Sequence, residues 1–185
     1  MTTVNPGLPD ATSSADLDTA SPEPGTICRV TVTLRKPSAD EYEEWSGAEL
    51  QGYVDDIVAS GTMSREAAEE KGRRDTADTL PQGLATPGQL IFRLEADGQP
   101  VGWLWLSLRN PRAEAGVGFI YDISVDEAFR GRGYGRAAMQ LAEDEGRRNG
   151  LHALGLNVFG HNAIARSLYT SLGYRETSVQ MRKDL

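Results

Sequence analysis

The chain has 185 residues and a mass of 20.1 kDa, enough for one well-buried core and too little for two ordinary domains. Its net charge is −8, of which Asp10, Asp16, Asp18 and Glu23 supply four units, and the mildly acidic remainder speaks against nucleic-acid or anionic-membrane binding. No run approaches the ~18 apolar residues of a membrane span and no basic, apolar leader opens the chain, so a soluble cytoplasmic protein is expected.

Residues 1–25 carry Pro6, Pro9, Pro22 and Pro24 among small and acidic residues and read as a disordered leader, with residues 26–185 as the folded domain. Cys28 is the only cysteine, so no intrachain disulfide can form, and it reads as a small hydrophobe. Val30–Arg35 alternates as a strand. Ser38 with Glu41 forms a capping box for a helix to about Ser60, whose stripe is Tyr42, Trp45, Leu50, Tyr53, Val54, Ile57 and Val58. Ser64 caps a second, more charged helix, Arg65–Thr79.

Gln89–Ala96 and Pro100–Arg109 read as a hairpin joined at Asp97–Gly98. Gly102 marks a close backbone approach or a bulge, and Trp103 and Trp105 share one face by period two, alternating with Leu104 and Leu106. Val117–Val125 is the next strand and Tyr134–Asn149 an amphipathic helix. His152–Phe159 reads as a strand, Ala163–Leu172 as a helix that Asn162 can cap, and Tyr174–Met181 as a last strand. This order implies a mixed α/β sheet with helices on its faces.

Between the third long strand and its helix lies Arg130-Gly131-Arg132-Gly133-Tyr134-Gly135-Arg136. The free N–H groups of a helix's first turn attract anions, glycines let a phosphate come close, and the three arginines add positive charge. Gly133, Gly135 and Ala138 also satisfy a dinucleotide fingerprint, but the whole run Asp126–Arg132 separates the strand from the first of those glycines. His152–Phe159 offers no acid for a ribose hydroxyl, and no P-loop motif is present. His152 and His161 have no carboxylate or Cys partners at ligand spacing, so no metal site is expected.

Arg130–Gly135 and the downstream NVFGHNAIARSLYTSLGY, ending in Leu168-Tyr169-Thr170-Ser171-Leu172-Gly173-Tyr174, resemble the GNAT superfamily of N-acetyltransferases. The resemblance covers Gln89–Leu185 and is architectural over Val30–Gly88. It implies a mixed, mostly antiparallel sheet flanked by helices, in which one parallel strand pair splays apart. Acetyl-CoA is the implied co-substrate. Its pyrophosphate would lie on the Gly131–Arg136 backbone beside Arg130, its pantetheine against the strand edge Ile123–Ser124–Val125, and Asn162 would bond the inner amide. Tyr169 would be the general acid for the leaving thiolate.

Several members of the superfamily carry a Glu early in the strand before the glycine loop, where this chain has Val117, Gly118 and Phe119. A water chain anchored by Asp122 or Tyr121 could serve as base instead. By period two Tyr121 shares the face of Phe119 while Asp122 points away, unless a bulge shifts the register. The acceptor pocket is expected from the first two helices, with Tyr42, Trp45, Glu49 and Tyr53, and from the hairpin strands, a setting suited to a small cationic amine or a peptide amine. His161 is a further candidate contact. The expected function is transfer of an acetyl group from acetyl-CoA to a primary amine. A non-catalytic acyl-CoA-binding or sensing domain is the alternative, and whether the chain forms a homodimer stays open.

Overall fold

The computed structural model describes residues 31–183. The expected leader, Cys28 and the start of the first strand lie outside the described residues. The elements are β1 Thr33–Arg35, α1 Ala39–Ala59, α2 Arg65–Thr79, β2 Gln89–Ala96, β3 Gln99–Ser107, β4 Val117–Val125, α3 Tyr134–Arg148, β5 Ala153–Leu156 and α4 Ala163–Ser171. Their sheet runs in the order β1-β2-β3-β4-β5. Every neighbouring pair is antiparallel except β4 and β5, which are parallel.

Local chemistry sets the boundaries. The capping box of α1 is formed: the Ser38 hydroxyl accepts from the Glu41 N–H at 3.2 Å and the Glu41 carboxylate accepts from the Ser38 N–H at 2.8 Å. Arg35, at the end of β1, donates to both Glu41 oxygens and to Glu95 of β2, so one guanidinium ties two strands to a helix start. That cation holds the Glu41 carboxyl down at about 2. Asp97 and Gly98 both have positive φ, 51° and 73°, as a two-residue hairpin turn requires.

Both sheet faces are covered. On one, Leu94, Val101, Leu104, Leu106 and Ile120 pack with Ala138, Met139 and Ala142 of α3. On the other, Ile91, Trp103 and Trp105 pack with Trp45 of α1, whose indole stacks on Trp103 at 5.5 Å and meets Trp105 edge-on at 5.7 Å. β3 is therefore buried from Val101 to Ser107, as its alternation of Trp and Leu predicts. Gly102 sits against β4 so closely that an added Cβ would lie 2.1 Å from the Ser124 carbonyl oxygen.

Two expectations are corrected. β5 stops at Leu156 instead of running to Phe159, because its last partner on β4 is Ile120 and nothing beyond it offers a ladder. Tyr174–Met181 is not a strand: Val179 and Met181 are 67% and 90% exposed, so the alternation has no covered face to reward it. Among the described residues no helix is long and apolar enough to cross a membrane.

Candidate active site

The site begins where two parallel strands part. β4 and β5 pair from Val117↔Ala153 to Ile120↔Leu156, after which β5 ends and β4 continues to Val125. In the β3–β4 ladder Trp105 faces Asp122 and Leu106 faces Ile120, so Tyr121 is the inserted residue of a β-bulge. The bulge shifts the period. Asp122 and Ser124 thereby come onto the Trp103–Trp105 face, beneath α1, and Tyr121 stays on it too, stacked on Trp105 at 4.5 Å. Beyond the bulge, Ile123 and Val125 have no strand partner on their outer edge among the described residues.

That edge leads into the glycine loop. Gly131 and Gly133 have φ of +75° and +86°, a conformation that L side chains rarely adopt, and Gly133 opens α3 with no side-chain cap. The first-turn N–H groups of α3 thus face outward without an internal acceptor from a capping side chain. Around them Arg130 donates to the Val125 carbonyl at 3.0 Å, Arg132 lies over the Phe129 ring at 5.7 Å, and Arg136 donates to the Ser171 hydroxyl at 2.5 Å. All three guanidinium groups are on exposed residues. Tyr134 and Gly135 are half-buried, with Gly135 close to Leu168 of α4.

Asp122 and Tyr169 approach from opposite faces of the sheet, near enough for the charge of one to act on the other. The Asp122 carboxylate accepts from the Trp45 indole N–H and from the Ser124 hydroxyl, each at 3.2 Å. Loss of water pushes its pKa up, against the pull of those hydrogen bonds. Tyr169, on α4, packs with the core on the α3 side of the sheet, and its hydroxyl is pushed up by burial and then by the Asp122 charge. A phenol so placed stays protonated at neutral pH. Asn162 caps α4, its side-chain oxygen accepting from the Ala165 N–H at 3.0 Å.

Tyr121 stands apart from that pair. Burial raises its pKa, and the groups around its hydroxyl are Thr79 and Asp75 of α2. It borders a cleft of about 490 Å³ shared by Asp78 and Thr79, Gln89 and Ser107 of the hairpin, and Arg109 and Asn110. The cleft takes in the end of the second helix and the hairpin, but none of Tyr42, Trp45, Glu49 and Tyr53, the residues expected to form the acceptor pocket, lines it. His161 bonds Asp56 of α1 at 3.1 Å and stacks on Phe159 at 5.6 Å. No group of three or more His, Cys, Asp or Glu that could hold a metal ion occurs among the described residues.

Comparison with known proteins decides the family. Residues 51–174 match the acetyltransferase (GNAT) family. The chain belongs to that family. YdgE of Bacillus subtilis (strain 168), an uncharacterized N-acetyltransferase, is 34% identical over 156 residues, covering 83% of this chain and 98% of that protein. YycN, an uncharacterized N-acetyltransferase of the same organism, is 34% identical over 159 residues, covering 84% and 100%. The crystal structure of YycN superposes with a TM-score of 0.78 over 84% of this chain and 99% of that one, at 32% identity. Aminoglycoside N-acetyltransferase AAC(6')-Iy, solved in complex with CoA, shares the fold at a TM-score of 0.55 and 19% identity, covering 84% and 95%. The chain is thus a GNAT N-acetyltransferase with the family's mixed, mostly antiparallel sheet.

The sequence singled out the loop, Asn162 and Tyr169; α4, which Asn162 caps and which carries Tyr169, approaches the start of α3 through Leu168 beside Gly135 and Ser171 beside Arg136, and the sequence offered Asp122 only on condition of a bulge. One residue it left among the pocket lining stands out. Glu49 is half-buried on α1 and held at about 7, chiefly by loss of water and then by the Asp122 charge. The available signal was an acid four residues after Trp45, one helical turn along the same face.

Proposed function

We propose that this GNAT enzyme binds acetyl-CoA along the free edge of β4 and the start of α3, and moves the acetyl group directly to a primary amine. The observation that carries the reading is the open edge Ile123–Val125 running into the Gly131–Arg136 turn. An extended amide chain can pair with the first as an added strand, and a pyrophosphate can accept from the N–H groups of the second. Both fit an acyl-CoA: a long amide-bearing arm ending in a diphosphate. Arg130, Arg132 and Arg136 supply the counter-charge, and Asn162, at the start of α4, would bond the inner amide of that arm.

The thioester then lies in the gap, with Tyr169 on one side and the Asp122 face on the other. The amine nitrogen attacks the thioester carbonyl carbon, a C–N bond forms, the C–S bond breaks, and the nitrogen releases one proton towards solvent, from which Tyr169 later recovers its own. Tyr169 gives its hydroxyl proton to the departing thiolate, and its raised pKa keeps that proton available. Alignment of a neutral amine with the carbonyl supplies much of the rate, and no covalent enzyme intermediate is required. Asp122, fixed by Trp45 and Ser124, presents its carboxyl oxygens on the side from which an amine would enter.

The test uses the full chain with acetyl-CoA and benzylamine, tyramine, spermidine and a short lysine peptide, following free thiol and acetylated amine. Thiol release that depends on the amine, with no acetyl group left on the protein, is the expected result. Acetyl-enzyme accumulation would refute direct transfer, and absence of any thermal stabilisation by CoA would refute the site.

A further inference from the structure

We infer that Glu49 of α1 is the proton acceptor of the transfer, facing the acceptor amine over the opening between β4 and β5. The inference rests on the acetyl-transfer reading above. Its geometric basis is the course of α1, which is pinned at two points on either side of the gap. Trp45 bonds Asp122 of β4 at 3.2 Å, and Asp56 bonds His161, in the turn after β5, at 3.1 Å. Residues 45, 49, 52 and 56 fall on one helical stripe, so Glu49 lies between the two pins on the face turned to the gap. The next position of the stripe is Gly52, where an added Cβ would meet nothing within 4 Å. The helix surface one turn on from Glu49 is thus uncovered.

Glu49 also differs from the other acids at this end of the fold. Glu41 and Glu95 are paired with Arg35, and Asp122 is engaged by Trp45 and Ser124. Glu49 has no hydrogen bond or ion pair among the described residues. The groups that face it are Asp122 from β4 and Tyr42 on its own helix, with Tyr169 of α4 beyond Asp122 and the Asp56–His161 pair at the far end of the stripe. Loss of water, and then the Asp122 charge, raise its basicity without neutralising it, which suits a base working near neutral pH.

The step balances. As the C–N bond forms, the amine loses one proton to the Glu49 carboxylate, directly or through one water, while the thiolate gains one from Tyr169. Glu49 then returns its proton to solvent and Tyr169 recovers one. Asp122 is a positioning residue in this scheme: it holds Trp45 and keeps Glu49 basic through its charge.

The experiment compares wild type, Glu49→Gln and Glu49→Asp with acetyl-CoA and the same four amines across pH 5.5–9 (roughly, spanning the carboxyl-to-amine range). Glu49→Gln is expected to lose about 100-fold or more in kcat, to lose the acidic limb of the pH profile and to keep the CoA-induced rise in Tm, with Glu49→Asp restoring part of the rate. A Gln variant that retains the limb, or falls by less than about threefold, overturns the role. A ¹³C-carboxyl NMR titration of the free enzyme gives an independent reading: Glu49 titrating near 7 supports the role, and a value below about 5 overturns it even where no amine is turned over. A wild type that CoA does not stabilise would instead sink the transfer reading, and the role of Glu49 with it.

Discussion

Replacing Glu49 by Gln should make the protein's stability less dependent on pH, and the size of the effect follows from its surroundings. Burial and the Asp122 charge raise the folded-state pKa from the usual 4.5 to about 7. Between those values the native state binds more protons than the unfolded chain, so stability falls as pH rises through the window and the full penalty is present above 7. At about 1.4 kcal/mol per unit the upper bound is about 3 kcal/mol. Glu49 is only half-buried, and water screens part of the cost, so about 1–2 kcal/mol is expected. Gln cannot ionise. The difference in unfolding free energy, variant minus wild type, should therefore be about 1–2 kcal/mol larger at pH 8 than at pH 5, read from urea denaturation with equal slopes. Taking the difference across pH removes the constant effect of the amide. A difference that is flat between the two pH values, or larger at pH 5, would refute the reasoning.

Other residues give sharper or simpler readouts. Gly102→Ala drives a methyl group onto the Ser124 carbonyl oxygen, 2.1 Å from the ideal Cβ, so it should cost at least about 2 kcal/mol in denaturant unfolding; an unchanged midpoint would mean that β3 and β4 are not so closely apposed. Tyr169→Phe removes the proton donor while keeping the ring among Tyr174 and its neighbours. It should lower kcat by about 100-fold or more with little change in CoA affinity, and equal losses in both would assign the hydroxyl to binding instead. Asn162→Ala removes the α4 cap and should lower stability by about 1 kcal/mol, with a weaker Kd for CoA measured by calorimetry; loss of stability alone would leave Asn162 as a cap only.

Much of the fold was legible because its signals are local. The capping box at Ser38 and Glu41, the Asp97–Gly98 turn and the Trp–Leu alternation of β3 depend on neighbours in sequence, and each forms as read. The shape of the glycine loop was legible for the same reason: glycines with positive φ and the uncapped start of α3 are short-range facts. What escaped depends on partners far along the chain. The Tyr121 bulge carries no Gly or Pro to announce it, and it is fixed by the ladder with Trp105 and Leu106 and by the Trp45–Asp122 bond, between residues 77 apart. The truncation of β5 follows from the same event, since β4 turns away after Ile120. Glu49 was legible only as part of the expected acceptor pocket, beside Tyr42, Trp45 and Tyr53. Its unusual state arises only when the helix is laid across the sheet beside Asp122.

The central claim is that acetyl-CoA occupies the open edge of β4 and the first turn of α3. Titration of the ¹⁵N-labelled chain with acetyl-CoA, followed amide by amide, tests it most directly. The account predicts saturable shifts concentrated at Ile123, Val125, Gly131, Gly133, Gly135 and Arg136, extending to Asn162 and Tyr169. Shifts confined to other parts of the molecule, or no saturable shifts at all, would contradict it.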